Sequence, residues 1–182
     1  MSVMTTVSLG APFTRSDLDA LPDDGRRHEL IDGVLVMTPA PSPRHQLIQM
    51  ELIKRLLPAI PTGQRLLAAP LDVVLGPATV LQPDLLIAAR TALTSRDLPV
   101  APLLAIEVLS PSTRRLDLGI KRALYESGGC AAYWVIDPDE PSITAWELHE
   151  GRYAEVGRAV GSESLRLHMP VEVEIVPADL VT

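Results

Sequence analysis

Three side chains stand where their chemistry is hard to ignore. Glu107 lies inside Leu103-Leu104-Ala105-Ile106-Glu107-Val108-Leu109, a run apolar on both alternating faces that reads as a central strand. A carboxylate there is costly to desolvate unless a cation pairs with it or it coordinates one. A structural ion pair with a nearby Arg is the ordinary account, but a charge inside such a strand favours a functional one. Asp84 follows Pro83 and opens Leu85-Leu86-Ile87-Ala88. Alone it is an ordinary residue for a strand start. With Glu107 on a neighbouring strand of the same sheet, it supplies the second acidic group of a site for a hard cation such as Mg²⁺, which needs one or two carboxylates and several waters. Lys121 is the third. Every basic residue of this chain except Lys54 and Lys121 is Arg, and Lys differs from Arg in geometry and titration. An i,i+4 pair with Asp117 accounts for the pairing but not for the choice of Lys. Beside a metal-bound water, its compact charge could face an attacking hydroxide or a scissile phosphate.

Two more residues are weaker candidates. Glu29 belongs to a hairpin strand, where a Glu is usually solvated. His45 sits in the first turn of a helix, where a lone His is more often an ordinary hydrogen-bonding residue than a ligand. For both, the residues alone favour the ordinary account.

The elements that must position these groups are legible in outline. Residues 1–12 read as a loose arm. Thr14 with Asp17 forms a capping-box pattern for a short helix to about Leu21. Pro22-Asp23-Asp24-Gly25 is a turn. A hairpin follows, His28–Ile31 and Val34–Met37 around Asp32-Gly33. Ser42 with Pro43 starts a helix to about Leu57. Strands are predicted over Arg65–Ala69, Leu71–Leu75, Val80 with Pro83–Ala88, and Leu103–Leu109. A second helix spans about Arg114 to Ser127, with Leu116, Ile120, Ala123, Leu124 and Ser127 as its core stripe and Lys121 on the boundary. Ala131–Ile136 is a buried strand, and the C-terminal part is a strand meander ending in a turn at 177–180. The middle of the chain thus predicts an α/β fold with a mixed sheet: a helix, a run of strands, a second helix and a strand, in one domain over residues 1–182.

Composition sets the bounds. The 182 residues are 47% hydrophobic and 21% charged, with a net charge of −7, which fits a globular chain and argues against a surface that grips nucleic acid everywhere. Arg114, Arg115, Lys121 and Arg122 form a local basic island. The single Cys130 reads as a small buried hydrophobe. No signal peptide or apolar span is evident, so a cytoplasmic protein with no membrane association is expected. Zinc spacings, Walker or dinucleotide glycine loops and the G-x-S-x-G elbow are absent.

Taken together, Pro83-Asp84, then Ile106-Glu107-Val108-Leu109-Ser110-Pro111-Ser112-Thr113, then Asp117, Lys121, Tyr125, Gly128 and Tyr133-Trp134-Val135 resemble the Uma family of restriction-endonuclease-like proteins. Glu29-Leu30-Ile31-Asp32-Gly33 and His45 resemble the same family's N-terminal motif. The resemblance covers about residues 14 to 148 and places the chain in the PD-(D/E)XK nuclease superfamily. It implies a restriction-endonuclease-like αβββαβ core with an N-terminal hairpin and a C-terminal strand meander. It further implies that Asp84 and Glu107 hold Mg²⁺, or Mn²⁺ in its place, with the Val108 carbonyl as a further ligand. The superfamily's usual lysine position holds Leu109, and the resemblance implies that Lys121 on the following helix takes over its role. It likewise implies that Glu29 and His45 are accessory catalytic residues. The activity implied is Mg²⁺-dependent hydrolysis of phosphodiesters in DNA, with a homodimer as one arrangement for two-strand cleavage. A binding or scaffold protein on a nuclease fold is the alternative.

Overall fold

The computed structural model describes residues 6–7, 11–22 and 25–181. Asp23 and Asp24 of the predicted turn lie outside the described residues, as do 1–5 and 8–10 of the predicted arm. Thr6–Val7 corrects that arm in part, because it forms a short strand, β1, that pairs antiparallel with Val34–Thr38. Helix α1 (Arg15–Asp19) starts at the expected capping box: Thr14 Oγ1 accepts the Asp17 amide, and the Asp17 carboxylate accepts the Thr14 amide at 2.8 Å. Strands β2 (Arg27–Ile31) and β3 (Val34–Thr38) form the hairpin. Asp32 and Gly33 take φ of 49° and 78°, the left-handed pair that a two-residue hairpin turn requires. Helix α2 (Pro43–Leu56) begins where the Ser42 hydroxyl accepts the His45 amide, with Pro43 in the first turn where a missing N–H costs nothing.

Next come β4 (Gln64–Ala68), β5 (Val73–Gly76), β6 (Thr79–Leu81), β7 (Leu85–Ala89) and β8 (Leu104–Val108). A π-helical turn over Leu116–Lys121 leads into α3 (Arg122–Gly128), which stops at left-handed Gly129. Strands β9 (Ala132–Asp137), β10 (Ser142–His149), β11 (Arg152–Val160), β12 (Leu165–Leu167) and β13 (Val173–Ile175) complete the order, with a final 3-10 turn at Pro177–Leu180. The sequence α2, β4, β7, β8, α3, β9 is the predicted αβββαβ core.

The strands form three sheets. A six-stranded sheet runs β11-β10-β9-β8-β7-β4, and a five-stranded sheet runs β1-β3-β2-β6-β5. Strands β12 and β13 pair separately. In the large sheet only β8 and β9 are parallel, as their connection through α3 allows, so the sheet is mixed. The predicted strand joining Val80 to Pro83–Ala88 is in fact two strands in different sheets. Pro83 has no N–H for a ladder, and the Gln82 amide is spent on the Glu29 side chain.

Strand alternation sorts the core into two layers. Leu85, Ile87, Leu104, Ile106 and Val108 pack with Ile48, Leu52 and Leu56 of α2 on one face of the large sheet. Leu86, Ala88, Ala105 and Leu109 pack on the other face with Ile31 and Val36 of the hairpin and Tyr125 of α3. Glu107 falls between Ala105 and Leu109, so its side chain enters this second layer. Among the described residues no helix is long and apolar enough to cross a membrane.

Candidate active site

Register places Asp84 and Glu107 on one face of neighbouring strands. Leu85 pairs with Ile106 across the antiparallel strands β7 and β8. One step further out, Asp84 stands opposite Glu107, and cross-strand neighbours share a face. The Asp84 carbonyl still accepts the Ala69 amide at 3.1 Å, so the backbone there is fixed. Asp84 Oδ2 accepts the Val108 amide at 2.8 Å and lies 3.0 Å from His45 Nε2. The same His45 nitrogen is 3.1 Å from the Val108 carbonyl oxygen. Asp84 Oδ1 takes the Arg27 guanidinium at 3.1 Å.

A second cluster adjoins the first. Lys121 Nζ lies 3.0 Å from Glu29 Oε1, 3.1 Å from Glu107 Oε1 and 3.4 Å from Asp117 Oδ1. Glu29 arrives by alternation: Arg27, Glu29 and Ile31 occupy every second position of β2 and share its inner face. Glu29 Oε1 also accepts the Gln82 amide at 2.7 Å. Asp117 is held by its backbone, whose carbonyl accepts the Tyr133 hydroxyl at 2.8 Å. Glu29, Asp84, Glu107, Asp117 and Lys121 are each 3% exposed or less.

Charges this close and this buried shift one another strongly. Burial alone pushes the Asp84 carboxyl up. The His45 hydrogen bond, the Arg27 charge and the Val108 amide outweigh it and hold the group down at about 2. Burial raises Glu107 well above the ordinary range; Lys121 opposes this, while Asp117, Asp84 and Glu29 add to it. Asp117 is raised for the same first reason, again against Lys121. Burial disfavours the Lys121 ammonium, but Glu107, Glu29 and Asp117 more than offset that and keep it charged. Four buried carboxylates thus face two permanent cations, Arg27 and Lys121. Fully ionised, the cluster is short of positive charge by the amount one divalent ion carries.

The residues fit such an ion. Among the described residues no three His, Cys, Asp or Glu side chains form a metal cage, but Mg²⁺ requires only one or two carboxylates, with waters completing its shell. Asp84 Oδ2 and the Val108 carbonyl converge on one point, the His45 Nε2, and are oxygen donors of the kind a hard cation selects. Glu29 Oε2 and His45 Nδ1 are buried without a hydrogen-bond partner, so the cluster has unused polar capacity. A cavity of about 320 Å³ opens onto it, with Arg27, His45, Asp84, Glu107, Val108 and Lys121 in its wall.

Several expectations change. Lys121 is a buried residue, not a boundary one. The predicted apolar stripe is not the buried face of its helix: Ile120 is 49% exposed, whereas Asp117, Lys121 and Tyr125 are buried. The π-turn at Leu116–Lys121 alters the helical phase, and the carboxylates on the two sheets compensate the buried ammonium. Glu29 is not a solvated edge residue, because β2 lies between β3 and β6. The basic island is dispersed: Arg114 pairs with Asp137, Arg122 lies over the Trp146 ring at 5.2 Å, and Lys121 faces inward. Leu109 is buried core. Arg27 is the residue that sequence reasoning overlooked. Its signal was present in the alternation that places it on the same face as Glu29.

The chain is similar to a known family and to a solved structure. Residues 15–179 match the family Uma2, described as "Putative restriction endonuclease". The chain belongs to the Uma2 family. Its structure is similar to a crystal structure from Anabaena variabilis ATCC 29413, described as a putative nuclease belonging to DUF820. The two share 20% sequence identity with a TM-score of 0.73, covering 93% of this chain and 98% of the other. At that identity the likeness establishes the fold. No curated protein matches the chain.

Proposed function

We propose that this Uma2 protein is a metal-dependent endonuclease that hydrolyses phosphodiester bonds in DNA. The observation that supports the reading is that the Asp84 carboxylate and the Val108 carbonyl both reach His45 Nε2, on a cavity wall that also carries Glu107. Asp84, Glu107 and the Val108 carbonyl would hold Mg²⁺, or Mn²⁺ in its place. When bound, the ion lowers the pKa of a coordinated water and offsets charge on the phosphoryl group during attack.

The protein's own groups do the rest. The Val108 amide fixes one Asp84 oxygen, and Arg27 holds the other. Lys121 fixes Glu107 through Oε1 and brings a positive charge to the cavity wall, where a phosphate would lie. Glu29 anchors Lys121 from the hairpin. His45 faces the Asp84 carboxylate and the Val108 carbonyl through Nε2. A homodimer would present two such sites to two strands.

The test is cleavage of DNA by the purified chain with Mg²⁺ or Mn²⁺. Cleavage that chelation stops and Asp84→Ala abolishes supports the reading. Full activity in Asp84→Ala contradicts it. Failure of the wild type to cut with either ion, while it still binds DNA, favours the scaffold alternative.

A further inference from the structure

A second cavity, of about 780 Å³, has the Arg27–Asp84 ion pair in its wall. It shares Arg27, the Thr38–Pro41 segment and Asp84 with the first, so the two are neighbouring compartments. Their linings differ sharply. The first compartment is rich in carboxylates. In the second, among the described residues, Asp84 is the single acidic residue, and Arg27 already engages it. Gln46, Gln49 and Gln82 bring three carboxamides, and Met37 and Pro70 bring apolar surface. Gln49 donates to the Asp84 carbonyl at 3.3 Å and Gln82 donates to Asp72 at 2.7 Å, so both amides have a set orientation. Gln46 is exposed, one helical turn before Gln49 on α2.

Those properties fit one class of ligand. The volume is in the range of small-ligand sites. Carboxamides present a donor and an acceptor side by side, the pattern that pairs with a base edge. A polarisable Met and a proline face offer surface for a flat ring. A phosphodiester lying against the first compartment would put its neighbouring nucleotide at the second.

We propose that the second cavity receives one unstacked nucleobase next to the scissile phosphate, so that the substrate is single-stranded or locally unpaired nucleic acid. The position of that phosphate rests on the nuclease reading above. Base selection comes from Gln46 and Gln49, and the ring lies against Met37.

The experiment measures fluorescence anisotropy of a labelled single-stranded oligodeoxynucleotide against the same strand made abasic, without divalent metal so that no cleavage intrudes. The wild type should bind the normal strand about tenfold more tightly, the scale of one stacked base. Gln46→Ala, at an exposed position, and the Gln46→Ala/Gln49→Ala pair should erase most of that preference while melting like the wild type. Equal binding of normal and abasic strands by the wild type overturns the proposal, as does a preference unchanged in the double variant. Cleavage is then measured separately with Mg²⁺ or Mn²⁺. Cleavage without base preference removes the base pocket and leaves the nuclease reading. Base-dependent binding with no cleavage by either ion does the reverse.

Discussion

Replacing Lys121 with Met removes the one ammonium that three buried carboxylates share while keeping most of the stem's volume. The distances are 3.0 Å to Glu29, 3.1 Å to Glu107 and 3.4 Å to Asp117. Breaking a buried ion pair from one side costs about 3–5 kcal/mol, because the remaining charge stays desolvated and unpaired. Small domains hold only about 5–15 kcal/mol in all, so the variant should fold but lose a large share of its stability. The loss should depend on pH. Without Lys121, Glu107 and Asp117, already raised by burial, rise further. The folded state then binds more protons than the unfolded chain above the ordinary carboxylate range, and stability falls as pH increases through that window. Urea unfolding of the wild type and Lys121→Met, in metal-free buffer at mildly acidic and mildly alkaline pH, reads this directly. The deficit should be larger on the alkaline side, and added Mg²⁺ should recover part of it by mass action. A deficit below about 1 kcal/mol, the scale of an exposed pair, would refute the reasoning that Lys121 is the charge on which this cluster depends.

Three further outcomes follow from the same geometry. Asp84, held at about 2 against an ordinary 3.8, contributes stability that is present above its unfolded pKa and lost as pH falls through the folded one. Each unit is worth about 1.4 kcal/mol, so the wild type should lose about 2 kcal/mol more than Asp84→Asn on acidification; identical acid limbs in denaturant melts count against this. Ser42→Ala removes the cap that fixes the first turn of α2 at His45 and should cost about 1 kcal/mol, read by thermal melting. Gly33→Ala places a Cβ 2.6 Å from Pro12 Cβ at a φ of 78°. The resulting clash and backbone strain should cost about 1–3 kcal/mol, and a melt within error of wild type would contradict it.

How much was visible in the sequence depended on whether the information was local. Glu107 declared itself because a charge interrupts an apolar run, and alternation then fixes the layer it enters. The succession of helix, strands, helix and strand followed from caps, prolines and periodicity, all read within a few residues, while which strands share the large sheet did not. Glu29 did not declare itself, because its burial depends on β6 returning beside β2 from far along the chain. The split at Pro83 into two sheets was missed for the same reason, although the proline itself marked the break. Asp117 and Lys121 were legible as an i,i+4 pair. Their inward orientation was not, since the apolar periodicity of the helix points elsewhere and only the carboxylates of two other elements make the buried ammonium tolerable. Arg27 shows the limit from the other side: its alternation with Glu29 was readable, but nothing local says that its guanidinium reaches Asp84.

The central claim is that these buried acids hold a metal ion and are not simply an ion-pair network. Calorimetric titration of Mg²⁺ or Mn²⁺ into the wild type and Glu107→Gln tests it most directly. One ion should bind the wild type, and the variant should bind at least about tenfold more weakly, since even indirect ligand support is worth that much. Indistinguishable titrations would assign Glu107 to Lys121 alone and contradict the account.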